Sequence, residues 1–341
     1  MMSQLLDVRN LSVRFPVGRK GAGWGQVSYL TAVDDISFTV RKGETLAIVG
    51  ESGSGKTTAA LAIAQLVGGE TSGRVMLDGQ DIMPANRDQL RAMRRRVQVI
   101  FQDPYSSLNP RKRAEEIVRE PLDNLTDKPA AEKQEIVDRL FEAVGLRPEQ
   151  KRLFPHQFSG GQRQRIGIAR ALSTQPDVII CDEPVSALDV AVQAQILNLL
   201  RRLQSEFGLT YVFISHDLGV VQHMCDSVAV MYMGKIVEHT DRLSLFNNPL
   251  HPYTTALLSA VPSVDPTLRD QSRRILIPGD PPDPLNLPAG CRFVSRCPVA
   301  QTRCRELAPE LTGNGTDHRT ACHLVDANLV SPMQSVREAG L

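Results

Sequence analysis

At 341 residues the chain has room for about two domains of roughly 150 residues, or for one domain with a large extension. Hydrophobic residues at 42% and charged residues at 23% exclude a disordered, collagen-like or coiled-coil chain. With 39 Lys and Arg against 38 Asp and Glu, the net charge of +1 provides no global field toward nucleic acid or anionic lipid.

No apolar run approaches the roughly 20 residues that span a bilayer. The start MMSQLLDVRN lacks the basic and apolar regions of a secretory signal, so a cytosolic chain with reduced cysteines is expected. Leu11, Val13 and Phe15 alternate with polar residues as in a half-buried strand, and the Gly-rich basic stretch 16–26 reads as an exposed loop. Alternation resumes at Val33, Ile36, Phe38 and Val40; the run Thr45 to Val49 is too short for a helix and predicts a strand buried on both faces. The spacing of Ala59, Ile63 and Leu66 predicts a helix from Gly55 that stops at Gly68-Gly69. Val75 to Leu77 with Asp78-Gly79 reads as a hairpin, and Val97 to Phe101 as another buried strand. Arg91, Arg94, Arg95 and Arg96 are expected on a solvated helix face.

From 105 to 157 the pattern is helical, its stripe carried by Ile136, Val137, Leu140, Phe141 and Val144. Strands return at Val178 to Cys181, Tyr211 to Ile214 and Val228 to Met231, with helical spacing from Val192 to Leu203 between them. The alternation predicts an α/β core with a mostly parallel sheet, a β-rich N-terminal part and an inserted helical block. Prolines at 262, 266, 278, 281, 282, 284 and 288 forbid long helices or central strands. The chain is therefore expected to divide into 1–258, with its insertion at 105–157, and a separate Pro- and Cys-rich extension, 259–341.

Gly50-Glu51-Ser52-Gly53-Ser54-Gly55-Lys56-Thr57 fits G-x-x-x-x-G-K-[ST] between a strand and a helix, where a phosphate-binding loop belongs. Its backbone N–H groups and the helix dipole would cradle a polyphosphate, Lys56 would reach the β- and γ-phosphates, and Thr57 would ligate Mg²⁺. Val178 to Glu183 ends a buried strand with adjacent acids: Asp182 is expected to hold Mg²⁺ and Glu183 to polarise the attacking water as general base.

Phe158-Ser159-Gly160-Gly161-Gln162 closely resembles the signature motif of ABC-type ATPases, with Phe158 where that family usually has Leu. The resemblance implies a P-loop NTPase fold of ABC type in which ATP is sandwiched between one subunit's phosphate loop and Ser159, Gly160, Gly161 and Gln162 of the other. It further implies that Thr58 belongs to the nucleotide site, that Gln102 ligates Mg²⁺ and links the core to the helical insertion, and that Asp189 lies on the loop across the dimer seam. His216 resembles the switch histidine at the γ-phosphate. Phe15 is the first choice for the aromatic that stacks on adenine, Tyr29 is its rival, and either could belong to the core.

Phe101 to Pro110, His251-Pro252-Tyr253-Thr254, Pro278 to Pro282, Gly290 to Phe293 and Arg296-Cys297-Pro298 resemble ATP-binding subunits of bacterial oligopeptide and dipeptide importers, and the F-type of the two paired subunits more than the D-type. That family implies a second ATPase subunit, a paralogue, along with two transmembrane permeases and an extracytoplasmic solute-binding protein. It implies a peripheral location on the cytoplasmic face of the bacterial inner membrane and no nucleic-acid partner. Cys291, Cys297, Cys304 and Cys322 could hold a [4Fe–4S] cluster, which the resemblance favours, or Zn²⁺ with His318 or His323 substituting for a thiolate; free thiols and air-formed disulfides also stay open. A rival function is a soluble ABC ATPase acting on nucleic acid or ribosomes, and a third reading makes the cysteine segment a redox or iron sensor.

Overall fold

The computed structural model describes residues 4–19, 27–83, 86–261, 275, 277–313 and 317–325. Strands β1 (Gln4–Arg19) and β2 (Val27–Arg41) pair antiparallel, and β1 also pairs with β4 (Glu70–Leu77), which turns through Asp78-Gly79 into β5 (Gln80–Asp81). The four form one sheet in the order β2-β1-β4-β5. The stretch expected as a loop at 16–26 is thus strand as far as Arg19, and residues 20–26 lie outside the described residues.

A second sheet holds the parallel strands β3 (Thr45–Val49), β6 (Val97–Ile100), β7 (Val178–Asp182), β8 (Thr210–Ser215) and β9 (Ser227–Tyr232). Antiparallel β10 (Lys235–Asp241) and β11 (Arg319–Thr320) complete the order β11-β10-β9-β3-β8-β7-β6. Side chains alternate across this sheet: Ala47 and Val49 enter one apolar core, Leu46 and Ile48 the other. That two-sided burial explains the unbroken apolar run of β3.

On one face lie α3 (Ala114–Leu125), α4 (Ala130–Ala143), α5 (Gly160–Leu172) and α6 (Val190–Phe207). On the other, α1 (Lys56–Ile63) sits between the two sheets. α1 is shorter than its spacing predicts: Gln65 takes a left-handed φ of 52° and ends it before Gly68-Gly69. The short helices α7 (Leu218–Met224), α8 (Arg242–Asn247) and α9 (Pro252–Ser259) follow β8, β10 and Leu250.

α2 (Arg87–Arg96) carries the basic run, but Arg96 is not merely solvated, since its Nε donates to Asp177 Oδ2 at 2.6 Å. The described part of the C-terminal extension packs on the core. β11 extends the parallel core's sheet, and Phe293, ahead of α10 (Thr302–Glu306), is 1% exposed among Tyr232, Tyr253 and His251. Buried aromatic surface of this size contributes roughly 1.5–3 kcal/mol per side chain, enough to seat a proline-rich segment that makes little regular structure of its own.

Candidate functional site

The loop 50–55 leaves β3 and enters α1 through Gly55, whose φ of 99° is left-handed and whose Cβ, if it had one, would stand 2.3 Å from the Ala32 carbonyl oxygen. Inside the loop, Lys56 Nζ donates to the carbonyl oxygens of Gly50 at 2.9 Å and Glu51 at 2.8 Å, and to Ser54 Oγ at 3.5 Å. Burial pushes the Lys56 pKa down, while Glu183, Asp182 and Glu51 oppose that shift. Ser52 and Gly53 face solvent at the crest, where an incoming phosphate would meet their backbone.

Thr57 Oγ1 donates to Asp182 Oδ1 at 2.9 Å, bringing the start of α1 to the end of β7. Burial pushes the Asp182 pKa up, the Thr57 hydrogen bond pulls it down, Glu183 raises it further and Lys56 lowers it. Glu183 follows in a left-handed conformation, φ 44°, with its N–H donating to the Ile214 carbonyl oxygen at 3.1 Å. Gln102 Nε2 donates to Glu183 Oε2 at 2.9 Å, and His216 Nδ1 lies 3.2 Å from the same oxygen. Lys56, Thr57, Gln102, Asp182, Glu183 and His216 therefore meet at the C-terminal ends of β3, β6, β7 and β8, the edge at which open α/β sheets bind ligands. Thr57 and Asp182 in mutual contact are hard-oxygen donors of the kind Mg²⁺ takes.

The signature residues form a second group. Ser159 caps α5: its Oγ accepts from Gln162 N at 3.3 Å, and Gln162 Oε1 accepts from Ser159 N at 3.0 Å. Asp189 caps α6 by accepting from Val192 N at 2.9 Å. The two helix starts press together at Gly161, where a Cβ would stand 2.5 Å from Val192 Cγ1. Phe158 itself is buried in the helical-side core, so its departure from Leu is met by packing rather than by exposure. Among the described residues no hydrogen bond or ion pair links this group to the Lys56 group within the chain. Phe15 is half-buried against the core, paired with Leu30, whereas Tyr29 is more exposed and donates from its hydroxyl to Glu70 Oε1 at 3.0 Å. The geometry does not choose between the two.

Sequence reasoning missed the support behind the loop. The N–H of Glu51 donates to the Tyr253 hydroxyl at 2.8 Å, and its carboxylate takes both Nη atoms of Arg296 at 2.8 and 3.3 Å. Arg292 reaches Asp34 and the Met233 carbonyl oxygen. The blocks containing Tyr253, Arg292 and Arg296 stood out in the sequence, but nothing in their spacing connected them to residue 51.

Cys291, Cys297, Cys304 and Cys322 line one small cavity of about 10 Å³, together with His251, Phe293 and His323. Burial pushes the thiol pKa of Cys297 up to about 11 and that of Cys322 to about 12, and raises that of Cys291. Among the described residues no three His, Cys, Asp or Glu side chains are placed to hold a metal ion, so the geometry lends the cluster expectation no direct support.

Residues 33–186 match the ABC transporter family, and residues 237–304 match the family described as the oligopeptide/dipeptide transporter C-terminal region. The chain is 49% identical over 321 residues to the oligopeptide transport ATP-binding protein AppF of Bacillus subtilis, covering 94% of this chain and 97% of that protein. It is 47% identical over 326 residues to the oligopeptide transport ATP-binding protein OppF of Salmonella typhimurium, covering 94% and 96%. Among solved structures it resembles cbiO1 of Clostridium perfringens, part of the ABC transporter complex cbiONQ, with TM-score 0.60, 28% identity and coverage of 71% of this chain and 90% of that one. It also resembles the dimeric post-hydrolysis structure of the ATP-binding cassette MJ0796 bound to ADP and Pi, with TM-score 0.61, 27% identity and coverage of 70% and 99%.

Proposed function

This chain belongs to the ATP-binding subunits of oligopeptide and dipeptide ABC transporters, the ATP-hydrolysing subunits that couple energy to peptide import, and from that premise we propose how its residues divide the work. The observation that carries the proposal is the meeting of Gln102 and His216 on one carboxylate oxygen of Glu183, beside the Thr57–Asp182 contact.

Lys56 stays anchored to the loop carbonyls through part of its ammonium and turns a remaining N–H donor to oxygens of the β- and γ-phosphates, a contact in which both partners are charged. Thr57, Asp182 and the Gln102 side-chain amide oxygen would hold Mg²⁺, which would supply charge neutralisation on those phosphates. Glu183 accepts a proton from the attacking water, and Gln102 and His216 orient its carboxylate. His216 is well exposed, so it is free to turn toward a γ-phosphate once nucleotide fills the site.

The Ser159–Gln162 helix tip has an N-terminal anion site but no phosphate of its own chain to bind. We assign it to the nucleotide on the partner's loop, and Val190, 81% exposed beside Asp189, to the seam between the two subunits. The partner is a paralogous ATPase, and the pair acts on two permeases fed by a solute-binding protein. Among the described residues no helix is long and apolar enough to cross a membrane.

The finer reading of the extension is that Cys291, Cys297, Cys304 and Cys322 hold an iron–sulfur cluster, with zinc as its rival. Four thiols around one cavity support it; burial keeps them neutral, so a metal would have to draw them into the thiolate form and release their protons on binding. Anaerobic purification from membranes tests the whole reading. It expects a second ATPase chain, two permease chains, ATP hydrolysis by the assembly and visible absorbance from the cluster; a lone soluble chain stimulated by DNA or RNA would contradict it.

A further inference from the structure

Every polar group of Glu51 is engaged. Its N–H goes to Tyr253, its carbonyl oxygen to Lys56 and its carboxylate to Arg296. Tyr253 is fully buried, and the Arg296 side chain is 8% exposed, with Nη1 also 3.4 Å from the Tyr232 hydroxyl. Tyr232, Tyr253 and Phe293 pack tilted and edge-to-face with ring centroids 4.7 to 5.5 Å apart, which fixes the wall from which Tyr253 and Arg296 reach the loop. Arg296 is also tied locally, its N–H donating to the Phe293 carbonyl oxygen at 3.0 Å.

A second arm grips the other side of the loop. Arg292 binds Asp34 and the Met233 carbonyl oxygen, Asp34 N donates to Gly234 O at 2.8 Å, and Gly234 N donates to Ser54 O at 2.9 Å. Both arginines stand on the short stretch between Cys291 and Cys297, on which Val294 N donates to the Cys291 carbonyl oxygen at 3.1 Å. The cysteine segment and the phosphate loop are thus joined at both ends of the loop.

We propose that Arg296 is a positioning residue for ATP binding: by clamping Glu51 from the cysteine-bearing segment, it holds the Glu51 carbonyl oxygen and hence Lys56 where the phosphates need them. The proposal rests on the reading that Lys56 binds those phosphates. The loop touches phosphate in the ground state and the transition state alike, so loosening it removes uniform binding, which raises KM and leaves kcat nearly unchanged. A two-pronged clamp of this kind tolerates Lys poorly, because an ammonium cannot match both carboxylate oxygens in one plane.

The test measures ATP KM and kcat in the full membrane-reconstituted assembly for Arg296→Met, Arg296→Lys, Glu51→Gln and the double variant Arg296→Met/Glu51→Gln. The expected result is a KM raised about tenfold by Arg296→Met and by Glu51→Gln, kcat within about twofold, partial recovery with Arg296→Lys, and a double variant no worse than either single one. Glu51→Gln approaches the clamp from the loop side, so it decides the matter if Arg296→Met fails to assemble. A KM unchanged in both single variants, or effects that multiply in the double variant, would overturn the clamp. Lys56→Ala serves as the separate control: if it still binds ATP, the underlying reading of the loop fails, whereas loss of binding there with a wild-type KM in Glu51→Gln refutes this proposal alone.

Discussion

Gln102 donates from Nε2 to Oε2 of Glu183 at 2.9 Å. The residue that leads from the parallel core toward the helical block is thereby bonded to the acid at the end of β7. On the proposed reading, a permease that displaced the helical block would move Gln102 and so change the orientation of Glu183. The proposed coupling of transport to hydrolysis would then run through this one hydrogen bond.

Glu183→Gln keeps the shape and the acceptor for Gln102 but cannot take a proton from water. ATP is expected to bind as in the wild type while single-turnover phosphate release slows by about 10²–10⁴-fold. Wild-type release rates would remove Glu183 from the general-base role.

Asp182→Asn is expected to separate stability from function. Burial holds the Asp182 pKa above its ordinary value, so the native state binds this proton more tightly than the unfolded chain does. Its contribution to stability is present at acid pH and lost as pH rises through the carboxylate range. At pH 7 without nucleotide, Asn should therefore raise Tm, retaining an oxygen acceptor for Thr57, while Mg²⁺-dependent ATP hydrolysis is lost. Thermal unfolding with and without Mg²⁺ and ATP checks both halves.

Gly161→Ala and Gly167→Ala should behave oppositely, although both lie in α5. A Cβ at 161 meets Val192 at 2.5 Å, whereas one at 167 meets nothing within 4 Å. Forcing α5 away from the Asp189 cap should abolish hydrolysis while leaving binding at Lys56 intact. Gly167→Ala should be active and more stable by about 0.5–1 kcal/mol, as expected for Gly to Ala in a helix interior. Denaturation midpoints and ATPase rates of the two variants provide the comparison.

Burial pushes His251 and His239 each down to about 4. Both are held neutral in the native state, so the stability they confer is present above the ordinary histidine pKa of about 6.5 and lost as pH falls from there toward 4. His251 Nδ1 accepts from Tyr253 N at 3.1 Å at the start of α9, a role an Asn side chain can also fill. Urea unfolding of His251→Asn should consequently show a shallower loss of stability between pH 6.5 and 4.5 than the wild type.

Much of the parallel core was legible in the sequence because its strands are apolar runs bounded by glycine and acids: Thr45 to Val49 ahead of the phosphate loop, and Val178 to Cys181 ahead of Asp182-Glu183. The site residues were equally legible as motif positions, since their chemistry demands fixed types at fixed spacing. Strand β10 was harder to see: Glu238, His239 and Thr240 are polar yet buried, and Glu238 is fully enclosed where it accepts the N–H groups of Leu250 and His251. Hydrophobic periodicity cannot reveal a strand whose buried positions are polar, Glu238 satisfied by hydrogen bonds and His239 with neither ring nitrogen paired. The seating of the extension was invisible for a related reason. Nothing in the sequence gives Arg296 and Arg292 a partner, and only the fold brings them to Glu51 and Asp34, 245 and 258 residues away.

The account stands on one geometric claim, that the Ser159 helix tip completes a nucleotide held on another subunit's loop. The direct measurement is Ser159→Arg in this chain within the reconstituted two-ATPase assembly, comparing photolabelling of this chain's own loop by an ATP analogue with phosphate release from the partner's site. The account predicts unchanged labelling at Lys56's loop and at least about 10²-fold slower release at the partner's site, the scale on which preorganised oxyanion contacts act. Wild-type release at the partner's site would contradict it.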